Sequence, residues 1–227
     1  MKKLAGVLAL LVLAGCGGEQ KPPVDASRVL HQAANVMAQL HTVSATMKFT
    51  KAPITFQGFS LVSARTSVEL PGVSDTVYSV KQQDVTFAIE VVISDAVYLH
   101  LPFSPFQKLT TAQAAVIPDI AKFFDPGTGL PALLPYGKNA RYVATEKVAG
   151  KDSYRITTSY SPDQVASLLS QLKSSGDVAA TMWVGTSDHY IYKANLDGPF
   201  GDGGKEANVE VDISKFNGAV AITSPSP

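Results

Sequence analysis

The sequence predicts an α+β protein built on one large, curved antiparallel β-sheet, a half-barrel whose concave face is covered by helices. Three observations carry this. Long segments alternate with period two: Val85, Phe87, Ile89, Val91 and Ile93 share one face, and Thr86, Ala88, Glu90 and Val92 the other, the pattern of a strand in a sheet. Such segments follow one another across short turns, without the βαβ rhythm of a parallel sheet. Helical spacing is confined to three places, and a sheet with one apolar face needs those helices as cover.

Taken in order, Asp25 caps a helix reaching about Leu40, with Val29, Ala33, Val36, Met37 and Leu40 on one face. Strands follow at 44–50, 58–70, 76–81 and 85–93, and Val97, Leu99 and Leu101 continue after the turn at Ser94-Asp95. The segment 111–124 reads as a helix interrupted by Pro118 and stopped by Asp125-Pro126-Gly127, and 129–134 as a short apolar helical turn. Strands return at 140–148 and 153–159. Ser161-Pro162-Asp163-Gln164 starts a helix: Ser161 caps, Pro162 takes the first helical position, and Gln164 completes a capping box. Val165, Leu168, Leu169 and Leu172 form its stripe. Strands at 178–184, 190–196, 206–214 and 219–222 close the fold, with a flexible loop at Gly198–Gly204.

The amino terminus has its own logic. Lys2 and Lys3 precede an apolar run from Leu4 to Leu13, then Ala14, Gly15 and Cys16, the single cysteine of the chain. That is a signal peptide, 1–15, and its apolar run is shorter than the roughly 20 residues of a membrane span. An unpaired cysteine is a reactive liability in an exported chain. Directly after small residues it serves instead as a lipidation site, the stretch resembling a bacterial lipobox, and an ordinary signal peptide with an incidental cysteine is the blander reading. Residues 16–24 then form a lipidated start and tether, 25–223 a single domain, and 224–227 a loose tail. The expected location is outside the cell membrane, held to its outer face by lipidated Cys16. The tether Gly17–Val24 reaches at most about 28 Å, which suits local loading or handover better than free shuttling.

Composition excludes some functions. The chain has 19 basic and 19 acidic residues and no basic block, so nothing points to nucleic acid. It is 45% hydrophobic and 17% charged, against about 25% charged in an ordinary domain. His31, His41, His100 and His189 have no metal-ligand spacing, and there is no H-E-x-x-H, C-x-x-C or G-x-S-x-G. Gly127–Ala132 matches G-x-G-x-x-A by letters, but it follows helix and contains Pro131, which defeats a dinucleotide reading. No enzyme, cofactor or metal is implied. What remains is apolar material in broken helix: Val116, Ile117, Ile120, Phe123, Phe124, Leu130, Leu133 and Leu134. Ordinary core is one reading, and a mobile lid over an acyl pocket the other.

Val91–Tyr98 ("VVISDAVY"), Asp125–Leu130 ("DPGTGL") and Trp183-Val184 with Asp188-His189, in that order behind the lipobox and first helix, resemble the LppX/LprG-type lipoproteins of actinobacteria over nearly the whole mature chain. The segment Pro102–Lys108 matches no signature of that family. The resemblance implies a half-open barrel similar to the LolA/LolB carriers, with a large apolar cavity between sheet and helices. It implies a protein that binds multi-acylated lipids or glycolipids and carries them within the envelope, in some cases beside a membrane lipid exporter. Carried onto this sequence, the cavity would be lined by Val77, Phe87, Ile89, Val91, Ile93, Val97 and Leu99, and roofed by Val116, Ile120, Phe123, Phe124, Leu130, Leu133 and Leu134. Two other readings stay open: an envelope scaffold or accessory lipoprotein that binds a protein partner, and a hydrolase with a dispersed site.

Overall fold

The computed structural model describes residues 24–168 and 173–225. The signal segment, Cys16, the tether up to residue 23, Leu169, Leu172 and the last two residues lie outside the described residues.

Helix α1 (Ala26–Met37) opens the domain, and Asp25 accepts the Arg28 N–H at 3.1 Å as its cap. Its buried face includes Val29, Leu30, Ala33, Ala34 and Met37, with Val36 at the margin. Seven strands follow: β1 (Thr42–Lys51), β2 (Thr55–Phe56), β3 (Phe59–Glu69), β4 (Val73–Gln82), β5 (Val85–Ile93), β6 (Val97–His100) and β7 (Gln107–Lys108). A helical interlude comprises α2 (Thr111–Ala114), a 3-10 turn Ile120–Phe124, α3 (Leu130–Leu133) and a second 3-10 turn Leu134–Tyr136. The chain ends with β8 (Lys138–Val148), β9 (Lys151–Tyr160), α4 (Pro162–Leu168), β10 (Val178–Gly185), β11 (Ile191–Gly201) and β12 (Lys205–Ser214).

All twelve strands join one antiparallel sheet, ordered β7-β6-β5-β4-β3-β1-β12-β11-β10-β9-β8, with β2 paired to β3. The first and last long strands therefore meet at a central seam, where Ala45 pairs with Ile213 and Met47 with Val211. The core lies between one face of this sheet and the helices.

Two expected elements differ. The helix foreseen over 111–124 is one turn, an irregular stretch and a 3-10 turn, because Pro118 donates no hydrogen bond and disfavours helical backbone at Ile117. The strand expected at 219–222 does not form. Lys215 and Asn217 take left-handed backbone (φ 50° and 52°), and the Asn217 N–H donates to the Thr42 carbonyl at 2.9 Å, turning the chain out of the sheet. The tail then reaches the β5–β6 turn, where the Ser224 hydroxyl donates to Asp95 at 2.7 Å and lies 2.8 Å from Ser94 Oγ. Ser224, expected in the loose tail, is thus held.

Candidate functional site

Strand alternation decides what faces the helices. On β4 the buried set is Ser74, Thr76, Tyr78 and Val80. Their partners on β5 put Ile89 beside Tyr78 and Val91 beside Thr76, and Leu99 of β6 pairs with Val91. The cover over this face is uneven. α1 packs on α3, on the Leu134–Tyr136 turn, and on β8 and β10, leaving Phe124, Leu134, Tyr160 and Met182 wholly buried. Over the first half of the sheet, the Ile120–Phe124 turn packs on β3 and β4, and the irregular segment before it leaves a pocket of about 170 Å³. Phe56, Phe59 and Leu61 form one wall. Tyr78, Val80, Ile89, Val91 and Leu99 form the floor, and Leu101, Ile117 and Pro118 close it, with Gln57 at the edge.

No charged side chain lines this pocket. Its one ionisable group is the Tyr78 phenol, which donates to the Pro118 carbonyl at 3.2 Å and so pins roof to floor. Burial, and then the nearby Asp119 carboxylate, push that phenol far above its ordinary pKa, so it stays neutral and a donor. Beneath it the Thr66 and Thr76 hydroxyls satisfy each other at 2.8 Å, as buried polar groups must. The site can hold hydrocarbon by exclusion of water; it has no arrangement of nucleophile and base.

The residues expected to line a cavity fall into three groups. Ile89, Val91 and Leu99 line the pocket. Phe87, Ile93 and Val97 pack against the same core nearby, Phe87 edge-on to Phe59 with ring centroids 5.6 Å apart. Ile120, Phe123, Phe124, Leu130, Leu133 and Leu134 are buried as packed core and are not among the pocket residues. Two expectations are corrected. Val77 is 37% exposed, because β4 turns its even-numbered residues inward. Val116 is 43% exposed, and its neighbour Ile117 takes the lining position. The large cavity expected is also small here, since helices and side chains fill most of the concave side. Phe56, Phe59, Leu61, Tyr78, Val80 and Leu101 were not foreseen, although the Ser74-x-Thr76-x-Tyr78-x-Val80 alternation carried the signal for β4.

Two of the blocks that carried the resemblance, Asp125–Leu130 and Asp188-His189, prove to hold turns, and Trp183 lies on β10. Asp125 Oδ1 accepts from the N–H groups of Gly127 (2.9 Å) and Thr128 (2.8 Å) and from the Thr128 hydroxyl (2.9 Å). The Thr128 hydroxyl bond is the largest cause holding its carboxyl below the usual range. A Cβ on Gly129 would lie 2.5, 2.6 and 2.7 Å from the carbonyl oxygens of Lys122, Phe123 and Asp125, so only glycine fits where the chain turns into α3. Asp188 accepts the Tyr192 hydroxyl at 2.6 Å, and the Trp183 indole donates to Glu146 beneath Lys193, whose Nζ is 5.6 Å from the ring centroid. His100 lies 3.3 Å from Glu90 and His31 bonds the Ser27 carbonyl at 2.9 Å. Among the described residues no three His, Cys, Asp or Glu side chains gather as a metal site, and no helix is long and apolar enough to cross a membrane.

An open antiparallel half-barrel with helices on its concave side and a largely apolar pocket between them defines the class of fold. Within that class, the LppX_LprAFG lipoprotein family model matches residues 25–222, and the chain belongs to that family. Similar proteins include the lipoarabinomannan carrier protein LprG of Mycolicibacterium smegmatis, 28% identical over 136 residues, which are 60% of this chain and 55% of that protein. The matched stretch thus spans about half of that relative's length. LprG of Mycolicibacterium hassiacum is 24% identical over 98% of this chain and 95% of its own. Among solved structures, LprF from Mycobacterium bovis superposes with a TM-score of 0.72 at 17% identity, covering 90% of this chain and 99% of that one. LppX from Mycobacterium tuberculosis gives 0.63 at 17% identity, covering 87% and 98%. These two share the fold.

Proposed function

We propose that this protein is an envelope lipoprotein, anchored through Cys16 on the outer face of the cell membrane, that binds an acylated lipid or glycolipid and transfers it within the envelope. The observation that carries this reading is the pocket over β3–β6, whose lining is apolar apart from Gln57 and the Tyr78 hydroxyl. Each methylene withdrawn from water there gains about 0.8 kcal/mol, so one acyl chain is enough for useful affinity. At about 170 Å³ the pocket is smaller than the roughly 300–1,000 Å³ of small-ligand sites. A multi-acylated lipid therefore enters only if the segment 109–118 lifts, breaking the Tyr78–Pro118 bond, and release reverses this. A membrane lipid exporter is a natural partner for loading.

Native mass spectrometry of the chain purified from its host, and lipid transfer between vesicles, test the reading. Retained acyl lipid and transfer support it; a protein that stays empty after incubation with envelope lipids sinks it. The packed second half of the concave side favours a second reading, a scaffold or accessory lipoprotein, and the empty outcome would select it.

A further inference from the structure

The turns at the pocket end of the sheet have a property that lipid binding alone does not require. Strand register puts the β2–β3 turn (57–58), the β4–β5 turn (83–84) and the β6–β7 loop (101–106) at one end: Phe56 pairs with Phe59, Gln82 with Val85, and Glu90 with His100. In that loop Phe106 folds back on His100, ring centroids 4.7 Å apart, whereas Phe103 is fully exposed at 109%. Its backbone is left-handed (φ 62°), rare for a bulky residue. The turn beneath is held by Ser104, whose N–H and hydroxyl both donate to the Leu101 carbonyl at 3.2 and 2.9 Å. Leu101 and Ile117 line the pocket, and exposed Phe103 and Val116 stand two and one residues from them. The segments that close the pocket thus also expose apolar side chains.

Charge supplies the second argument. Segments 52–64, 101–107 and 109–118 contain no charged residue, in a chain where 17% are charged. Of the charges beside them, Lys81 pairs with Asp84 at 3.4 Å and Lys108 with Asp95 at 3.8 Å, and Asp202 accepts from the Thr55 N–H and hydroxyl. A protein partner would have to offer a cavity for a lone projecting ring and would ordinarily meet a polar rim. Fluid acyl chains need neither, and they penalise charge.

We propose that this end of the sheet docks on a lipid bilayer, with the Phe103 ring inserted below the headgroups and Val116 against the acyl chains, so that the pocket mouth faces hydrocarbon. The proposal rests on the lipid-carrier reading for its purpose but is tested apart from it. Phe103→Trp and, as a control on the opposite edge strand β8, Val143→Trp are introduced separately into the full chain, with Trp183 of the unsubstituted chain as baseline. Each is mixed with phosphatidylcholine–phosphatidylglycerol vesicles whose acyl chains are plain or brominated. The expected result is a blue shift and strong quenching by brominated chains for Phe103→Trp and neither for Val143→Trp. Equal quenching at the two positions, or none, overturns the proposal. Phe103→Asp is further expected to slow lipid transfer between vesicles several-fold while lipid content by native mass spectrometry is unchanged; an unchanged transfer rate also counts against docking. A chain that holds lipid but does not insert Phe103 sinks docking alone, whereas one that inserts Phe103 but never holds lipid sinks the carrier reading and leaves docking standing.

Discussion

The two halves of the concave face share one sheet and one alternation rule, yet only one half is filled. Over β8–β12, α1 packs on α3, on the Leu134–Tyr136 turn and on β8 and β10, and Leu30, Met37, Leu134, Ile156, Met182 and Val211 belong to one core with essentially no exposure. Over β3–β6 the cover is the Pro118-broken segment, whose Ile120–Phe124 turn packs on β3 and β4 but whose irregular part before it meets the pocket only through Ile117, Pro118 and the Tyr78 hydroxyl and leaves space. The difference lies in the cover: a continuous amphipathic helix can interdigitate along its length, whereas a proline-interrupted segment bridges. One half is therefore packed throughout, and the other keeps a pocket.

Substitutions can break this contrast. The largest effect is expected from inserting bulk into the filled half: Ala180→Trp, at a position 1% exposed on β10, should cost about 3 kcal/mol or more and leave little folded protein. Val91→Trp, in the pocket floor, should cost less than about 1.5 kcal/mol while reducing lipid occupancy about tenfold. Urea unfolding and native mass spectrometry measure the two; equal destabilisation would erase the distinction between the halves. Next, removing bulk should cost about 3–5 kcal/mol for Phe124→Ala and only about 1 kcal/mol for Ile117→Ala, read from urea midpoints. Gly129→Ala should cost roughly 1–3 kcal/mol, because its methyl meets three carbonyls where the cover of the filled half begins.

The smallest effects are in pH dependence, and they have opposite signs. Asp75 lies on β4 with Oδ1 buried and unpartnered, and burial, then Glu90, raise its pKa. Its ionisation therefore weakens the fold as pH rises from the ordinary carboxylate value through the raised one, and Asp75→Asn should remove that loss and raise Tm at pH 7 by roughly 1–3 °C. Asp125 has a lowered pKa, so its contribution is present above the ordinary value and lost as pH falls through the lowered one. Asp125→Asn should remove that contribution, flattening the acid-side slope and lowering Tm slightly at pH 7. Thermal melts from pH 3 to 7 read both; slopes of the same sign would show that these carboxylates are not what couples each region to pH.

Much of this was legible in the sequence. Period-two alternation placed most long strands within a few residues, and Asp25 and Ser161-Pro162 marked helix starts that the structure bears out. What alternation cannot give is its phase relative to the core when both faces carry apolar or hydroxylated residues. On β4, Val77 looks more buried than Ser74 or Thr76, yet both face inward: the Thr76 hydroxyl is satisfied by Thr66, and Ser74 Oγ is buried without a partner. Apolar letters in broken helix likewise cannot say whether they fill space or enclose it. Phe123 and Phe124 fill it, and Ile117 encloses it. The short arm Phe56–Phe59 shapes the pocket through the hairpin of β2 on β3, too brief a pairing to announce itself in the sequence.

The seam between β1 and β12 has a consequence in time. Ser44 and Ser214 are paired although 170 residues separate them, and the two halves of the sheet meet through that pairing alone among the strand ladders. Closing so long a loop is slow compared with forming hairpins. A chain emerging amino terminus first can build β3–β6 early, but it cannot join its two halves until β12 has been delivered. The finished sheet is therefore a product of complete synthesis, its two halves remaining separate folding problems until the final strand arrives.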